Sequence, residues 1–577
     1  MSSDQQHPQV AVDDPADHPA TAPAQRRSSI SPSVLWPSLA VLGTAVALAI
    51  VFPDRTGEVL GRIQTDIVGG FGWYYSLLVA GFVIFALWMG LSRFGDITLG
   101  LDDDEPEFSL PVWFAMLFAA GMGIGLVFWG AAEPLTFFES PKPGVAGTDT
   151  QLAQTAMSQV YLHWGFHAWA IYVVVGLALA YAIHRKGHPV SIRWALEPLI
   201  GDRARGRLGD AVDIVAVVGT VAGVATSLGL GVQQISAGLV HLGLFDEASD
   251  LLMVGVIAVI TAIAVFSVVT GVDKGIKWLS NTNLILAGVF MVAVLALGPT
   301  LFLLREFVQS IGVYLRDVVP MTFNTSAFTG AEGQAWQASW TTFYWGWWIS
   351  WAPFVGVFIA RISRGRTIRQ FVAGVLLVPT LVTFLWFSVF GGSAIHRELF
   401  GEGGLVGADG SIVSENVLFD LVGDLPLGGL LSGVAIVLVV IFFVTSSDSG
   451  SLVVDMIASG GELDPPKWSR IMWACLAGAL AIGLLLAGGL VALQTGAIIT
   501  ALPFSFVMVG MCLATYRAVS GEHRLLLRAE RRQRREELSA EVGQDVTGRL
   551  TRDFDEHFGE HVDRHVTRIL HRRRRGE

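Results

Sequence analysis

The sequence predicts an all-α polytopic membrane protein with about twelve transmembrane helices. Three observations carry that reading. Hydrophobic residues form 52% of the 577-residue chain and charged residues only 15%, with a mean hydropathy of +0.56, outside the soluble range. Apolar stretches long enough to cross about 30 Å of hydrocarbon recur along the chain. Loops rich in Lys and Arg alternate with loops poor in them, as the positive-inside rule expects of a multi-pass protein.

Taken in order, residues 1–32 form a polar, acidic tail rich in Asp, Gln, Pro and Ser, read as disordered and lacking a signal peptide. The apolar stretches fall near 33–53, 68–90, 110–131, 156–183, 210–238, 251–270, 283–304, 338–360, 371–391, 428–457, 469–488 and 494–516. Between the fourth and fifth stand Arg185, Lys186, Arg193, Arg203, Arg205 and Arg207. Lys274 and Lys277 follow the sixth, Arg361, Arg364, Arg366 and Arg369 the eighth, and Lys467 and Arg470 the tenth. The intervening loops are poor in cations. This pattern puts both termini in the cytoplasm, with the protein in the cytoplasmic (inner) membrane. The net charge of −11 carries no nucleic-acid signal, and the two cysteines, Cys475 and Cys512, lie within predicted spans, so no disulfide framework is expected.

Tryptophan is crowded into two runs, His163–Tyr172 and Phe343–Trp351, both continuing into long apolar stretches. Interface anchoring and packing are one reading of such residues. The sharper one is a midplane aromatic cage, because indole faces attract desolvated cations, quaternary ammonium above all. The third stretch contains Gly121, Gly123 and Gly125 at a spacing of two, which rotates about 200° per step and cannot line one helix face. A helix unwound there offers bare carbonyls and N–H groups to a ligand, and Gly346 marks a second candidate break. Broken helices in corresponding positions of two halves point to a transporter site. The halves are 110–304 (spans three to seven) and 338–516 (spans eight to twelve), with two additional helices and a loop over 33–109. The mixed stretch Glu306–Asp317, within a connecting segment over 305–337, reads as an interfacial helix. In the tenth span, Thr445 and Ser446 either bond back to helix carbonyls or, with carbonyls freed in the third span, hold a hard monovalent cation such as sodium. Asp448 faces away from that pair and is assigned to an inner vestibule. No H-E-x-x-H helix or G-x-S-x-G turn supports an enzyme.

The run Gly121–Gly125, followed by Phe128-Trp129-Gly130 and Glu133-Pro134-Leu135, with Trp345–Trp351 and Arg361–Arg369, resembles the betaine/choline/carnitine transporter family from about residue 33 to the tail. The resemblance implies a twelve-helix fold with a five-plus-five inverted-repeat core, assembled as a homotrimer, and is closest to the sodium-coupled glycine betaine permeases. It implies uptake of a small zwitterionic quaternary-ammonium solute with sodium as coupling ion and no other cofactor. By the same resemblance, the aromatic box falls on Trp164, Trp169, Tyr172 and Trp348. Trp347 and Trp351 lie on the substrate path, and Ser227 and the three glycines are counted with the substrate-binding residues. One sodium site uses Ala119, Met122, Phe442, Thr445 and Ser446. A second pairs Thr220 with Phe354, but Val224 stands where the family has another threonine.

Two alternatives remain at this stage, a sodium-independent carnitine or betaine exchanger and a proton-coupled choline permease. The exchangers carry a basic residue in the fifth span and a Met in the tenth, whereas 211–238 has no Lys or Arg and Ser446 occupies the latter position. The choline permeases tend to carry Asp in the glycine motif, where Gly125 stands. Residues 517–577 form a basic cytoplasmic tail with Arg and Leu at helical spacing. The tail is read as an osmotic sensor acting on anionic lipid, or as a solvated helix.

Overall fold

The structure, a computed structural model, describes residues 30–121, 123–270 and 273–576. Most of the expected N-terminal tail therefore lies outside the described residues. A segment in hydrocarbon must satisfy its own backbone N–H and C=O groups, which inside a single chain favours helix. Among the described residues the regular structure is helical, apart from one isolated bridge between Thr98 and Thr367.

The chain opens with α1 (Pro32–Val51) and α2 (Pro53–Leu91). Two interrupted segments follow, α3 (Leu110–Gly121) with α4 (Ile124–Glu139), and α5 (Asp149–Trp164) with α6 (Phe166–Ala180). The single turns α7 (Ile192–Ala195) and α8 (Glu197–Ile200) lead into α9 (Arg207–His241). Then come α10 (Asp250–Thr270), α11 (Asp273–Leu297), α12 (Thr300–Thr322) and α13 (Gly330–Gln337). A π turn at Ala338–Thr342 enters α14 (Phe343–Arg361). The last helices are α15 (Ile368–Phe400), α16 (Ser414–Gly423), α17 (Gly428–Ala458) and the very long α18 (Lys467–Arg574).

Among the described residues, nine helical segments, with α5–α6 counted as one, are long and apolar enough to cross a membrane, or up to ten if the bent pair α3–α4 is one span. The sequence reading of about twelve is higher, for two physical reasons. The stretches 469–488 and 494–516 both lie in α18, where Gly488 and Gly489 leave helical geometry between them. Gly489 has φ of +59°, a left-handed backbone that glycine adopts without steric cost. The eighth stretch is α14, whose Trp and Tyr residues lower its hydropathy although almost every residue from Phe343 to Ala360 is buried. Gly346 is not a break, since α14 runs through it uninterrupted. A Cβ there would stand 3.0 Å from the Ile498 backbone, so this glycine lets α14 pack closely on α18.

Helix α14 sits in the centre, packed against α6, α9 and α18. The outer helices turn apolar side chains outward, for example Leu251 and Phe266 on α10 and Ile285 and Val289 on α11, as lipid-facing surfaces require. Helix α12 covers the expected interfacial segment. It buries Leu303, Ser310 and Tyr314 against its neighbours and exposes Leu304, Val308 and Leu315.

One end of the bundle gathers the loop after α2, the turn after α6, the loop after α14 and the middle of α18. Leu99 N–H donates to the Arg366 carbonyl (2.8 Å), and Gly365 N–H donates back to Leu99 (2.9 Å). Arg364 donates two hydrogen bonds to Asp104, each 3.2 Å, and these hold the Asp104 carboxyl below the usual carboxylate range. Arg185 pairs with Asp102 at 2.6 Å and with Glu522 of α18, which also accepts from Tyr181. The charge rule puts these even-numbered loops on one side, and their mutual contacts agree with it. Asp448 does not open onto a vestibule. It is buried and takes Arg470 Nη2 on both carboxylate oxygens, at 2.7 and 2.8 Å, because a paired acid inside a bundle costs far less than an isolated one.

Candidate functional site

Two chain interruptions bring the candidate side chains together. The first lies between α3 and α4, where Gly123 is extended (φ −153°, ψ −177°) and the segment bends by 70°. The expected break at the glycine run is therefore present, with Gly121 ending α3 and Ile124 opening α4. Met122, the expected backbone ligand, lies outside the described residues. Gly125 has a different use from Gly123. A Cβ on Gly125 would lie 2.4 Å from the Trp347 ring and 3.0 Å from that of Trp164, whereas Gly123 borders open space.

The second interruption is at Gly165, between α5 and α6, and no feature of the sequence singled it out. A Cβ there would meet the Tyr161 carbonyl oxygen at 2.5 Å and the Phe384 ring at 2.8 Å, so the chain can turn only with glycine at this point. Trp164 consequently closes α5 while Trp169 and Tyr172 lie in α6, one turn apart along one face.

Across from them stands the aromatic run of α14. Trp164 meets Trp348 edge-to-face at 4.9 Å between centroids, and Tyr172 meets Trp348 at 6.3 Å and Trp169 at 5.4 Å. Trp347 stacks on Trp348 at 4.7 Å and touches Trp164 at 6.1 Å. The structure thus brings Trp164, Trp169, Tyr172, Trp347 and Trp348 into one buried cluster. Trp351 stands one turn further along α14, against Phe354 at 5.3 Å.

Three of the four indoles of the cluster have their N–H committed. Trp348 Nε1 donates to the His163 carbonyl at 2.9 Å, and Trp347 Nε1 donates to Ser227 Oγ at 3.2 Å. Trp164 Nε1 donates to Glu133 Oε2 at 2.7 Å. Ser227 therefore acts on a ring rather than standing open. Glu133, with no exposed surface, also accepts from the Tyr344 hydroxyl at 2.5 Å and from His163 Nδ1 at 2.7 Å. Glu133, His163 and Tyr344 were not among the predicted site residues. The signal for them was an acid inside an apolar stretch, by itself a marker of function.

A second feature is a cavity of about 90 Å³ beside the α3–α4 interruption. Ala119, Phe442, Thr445 and Ser446 line it, as do Asn283, Trp351 and Phe354, and every lining residue is uncharged. Thr445 Oγ1 donates back to the Ile441 carbonyl at 2.8 Å and lies 3.2 Å from that of Phe442. Neutral hydroxyl and carbonyl oxygens of this kind suit a hard monovalent cation. The two residues expected for a second sodium site are not both at this cavity. Phe354 lines it, but Thr220 does not, and its hydroxyl donates to the Ala216 carbonyl at 2.7 Å.

Residues 33–524 match the betaine/carnitine/choline family of transporters. The chain is 44% identical over 499 residues to a Bacillus subtilis protein named glycine betaine transporter, covering 86% of this chain and 96% of that one. It is 45% identical over 474 residues to a glycine betaine transporter of Vibrio parahaemolyticus, covering 81% of this chain and 89% of that one. An uncharacterized transporter of Mycobacterium tuberculosis is 52% identical over 496 residues, covering 85% and 83%.

Outside the helices, the turn between α4 and α5 holds Lys142 over the Trp336 ring at 4.9 Å, with its ammonium donating to Gln337 Oε1 at 2.9 Å. Burial pushes its pKa from 10.5 down to about 8. The folded state thus carries the cost of a buried cation below about pH 8, and sheds it as pH rises toward 10.5. The melting temperature of wild type should therefore gain on that of Lys142→Met between pH 8 and 10. Parallel curves would mean that Lys142 is solvated.

Proposed function

The chain belongs to the betaine/carnitine/choline transporter family, and we propose that it takes up glycine betaine or a related zwitterionic osmolyte together with sodium, by alternating access. One observation carries the choice of solute. Trp164, Trp169 and Tyr172 from the interrupted α5–α6 segment converge on Trp348 from α14. Aromatic faces in a dry site attract a quaternary ammonium, each worth about 0.5–2 kcal/mol. The solute's carboxylate has N–H groups available at the first turn of α4, where a helix N-terminus favours negative charge.

Alternating access finds support in the same rings. A cation bound to an aromatic face lies within about 6 Å of its centroid, yet Trp164 and Trp348 touch each other at 4.9 Å. Seating a trimethylammonium between them requires α14 and α5–α6 to part. The halves 110–304 and 338–516 each contribute one side of the cluster, which favours rocking of one against the other.

Sodium is assigned to Ala119, Phe442, Thr445 and Ser446, with the Met122 backbone expected from the resemblance, and the uncharged hydroxyl-bearing lining of the cavity at the first four supports that reading. The second site, Thr220 with Phe354, has weaker support, because Val224 stands where the family has another threonine and Thr220 does not line the cavity. The protein is a multi-pass membrane protein. Its placement in the inner membrane with both termini cytoplasmic, and its assembly as a homotrimer, complete the proposal. The exposed part of α18 carries Arg572, Arg573, Arg574 and many further arginines. Each arginine close to an anionic leaflet contributes about 1 kcal/mol, screened by salt, which suits an osmotic sensor.

Two measurements test these assignments. In proteoliposomes, a sodium gradient should drive betaine accumulation, and Thr445→Ala with Ser446→Ala should raise the sodium needed for half-maximal uptake about tenfold, the worth of two lost oxygen ligands. Wild-type sodium dependence in the double variant would move the ion elsewhere. Sodium-independent exchange by the wild type would favour the exchanger reading. Truncation after Arg524 should leave uptake intact while flattening its response to osmolality. Parallel activation curves would reduce the tail to a solvated helix.

A further inference from the structure

Behind the aromatic cluster lies a buried network centred on Glu133, whose carboxylate accepts from three side chains on two other helices. His163 Nδ1 donates to Oε1 at 2.7 Å, while Trp164 Nε1 and the Tyr344 hydroxyl donate to Oε2 at 2.7 and 2.5 Å. An indole nitrogen can only donate, and so can a side-chain amide nitrogen. His163 Nε2 lies 3.0 Å from both Gln159 Nε2 and Thr341 Oγ1, so the ring in its neutral Nδ1–H tautomer accepts there and donates to Glu133. Three donors aimed at two oxygens match an ionised carboxylate, which accepts only.

That leaves a negative charge in the interior without a cation of its own. Among the described residues His163 is the group at ion-pair distance from Glu133. Lys142 is engaged instead by Gln337 and the Trp336 ring. A buried unpaired carboxylate is costly and is tolerated where a ligand completes the pair. The charge also acts through the rings. A carboxylate on an indole N–H pushes electron density into the ring and makes its face more attractive to a cation.

We propose that Glu133 is the residue that gives the aromatic box its preference for a positively charged head group, by holding Trp164 and Tyr344 and by supplying the negative charge behind them. It is a positioning and specificity-determining residue that reaches the ligand through Trp164. The inference rests on the proposed betaine site and deepens it, since packing alone would accept any head group of the right shape. Glutamine at this position cannot replace the acid, because its amide nitrogen would face a second donor.

The test is equilibrium binding to the full-length reconstituted protein, read by tryptophan fluorescence. It uses two probes, glycine betaine and tert-butylacetate, its carbon isostere with an uncharged head. Wild type should prefer betaine. Glu133→Gln should lose about ten- to thirtyfold in betaine affinity, with a change of less than about twofold for the isostere. A merely structural role would weaken both probes alike, so an unchanged betaine-to-isostere ratio in Glu133→Gln overturns the assignment. Tyr344→Phe, which removes one donor but leaves the charge, should keep the preference, and its loss there would equally overturn it. Absence of betaine binding by wild type would overturn the transport reading, and this assignment with it.

Discussion

A helix interrupted inside hydrocarbon must hand its freed backbone groups to other partners, and the candidate site depends on how this is met at Gly165. The last turn of α5 leaves carbonyls without intrahelical donors, and the indole N–H of Trp348 takes that of His163. The Trp348 ring that faces the cluster is thus also a group that satisfies the interrupted α5–α6 segment. Binding and packing cannot be separated here. Replacing Trp348 would remove an aromatic face and also leave a buried carbonyl unpaired, at about 1–3 kcal/mol.

The same bonds define what has to give way when the site opens. Helix α14 is tied to α5 through Trp348 and His163, to α9 through Trp347 and Ser227, and to α4 through Tyr344 and Glu133. Helix α9 in turn is tied to α18 by Thr226, whose hydroxyl donates to the Leu493 carbonyl at 2.8 Å. These are few and local contacts, each worth about 0.5–1.5 kcal/mol net. A ligand with several kcal/mol of differential affinity can therefore exchange them for its own. At the loop-rich end, Glu522 joins α18 to Arg185 and through it to Asp102, just where α18 passes from buried to exposed.

Composition made the all-helical membrane class legible, and the tryptophan runs and the glycine run marked the cluster and one interruption, because those residue types carry their meaning in themselves. What stayed hidden depends on neighbours far along the chain. Gly165 and Gly346 both sit among aromatics, yet one breaks its helix and the other does not. The difference lies in what stands opposite, the Tyr161 carbonyl and Phe384 ring in one case and the Ile498 backbone in the other. Glu133 was visible as an acid in an apolar run, but its donors come from 30, 31 and 211 residues away. Asp448 failed as a vestibule residue for the same reason, since its partner Arg470 belongs to the next helix.

The central claim is that the cluster around Trp348 holds a cation by the face of its ring rather than by shape alone. Stepwise fluorination of Trp348 tests it most directly, because each fluorine withdraws density from the ring with little change in volume. Betaine affinity measured with mono-, di-, tri- and tetrafluorinated tryptophan at this position should fall with each added fluorine, across a total range of about 2 kcal/mol. An affinity that stays flat across the series would contradict the account and reduce the cluster to packing.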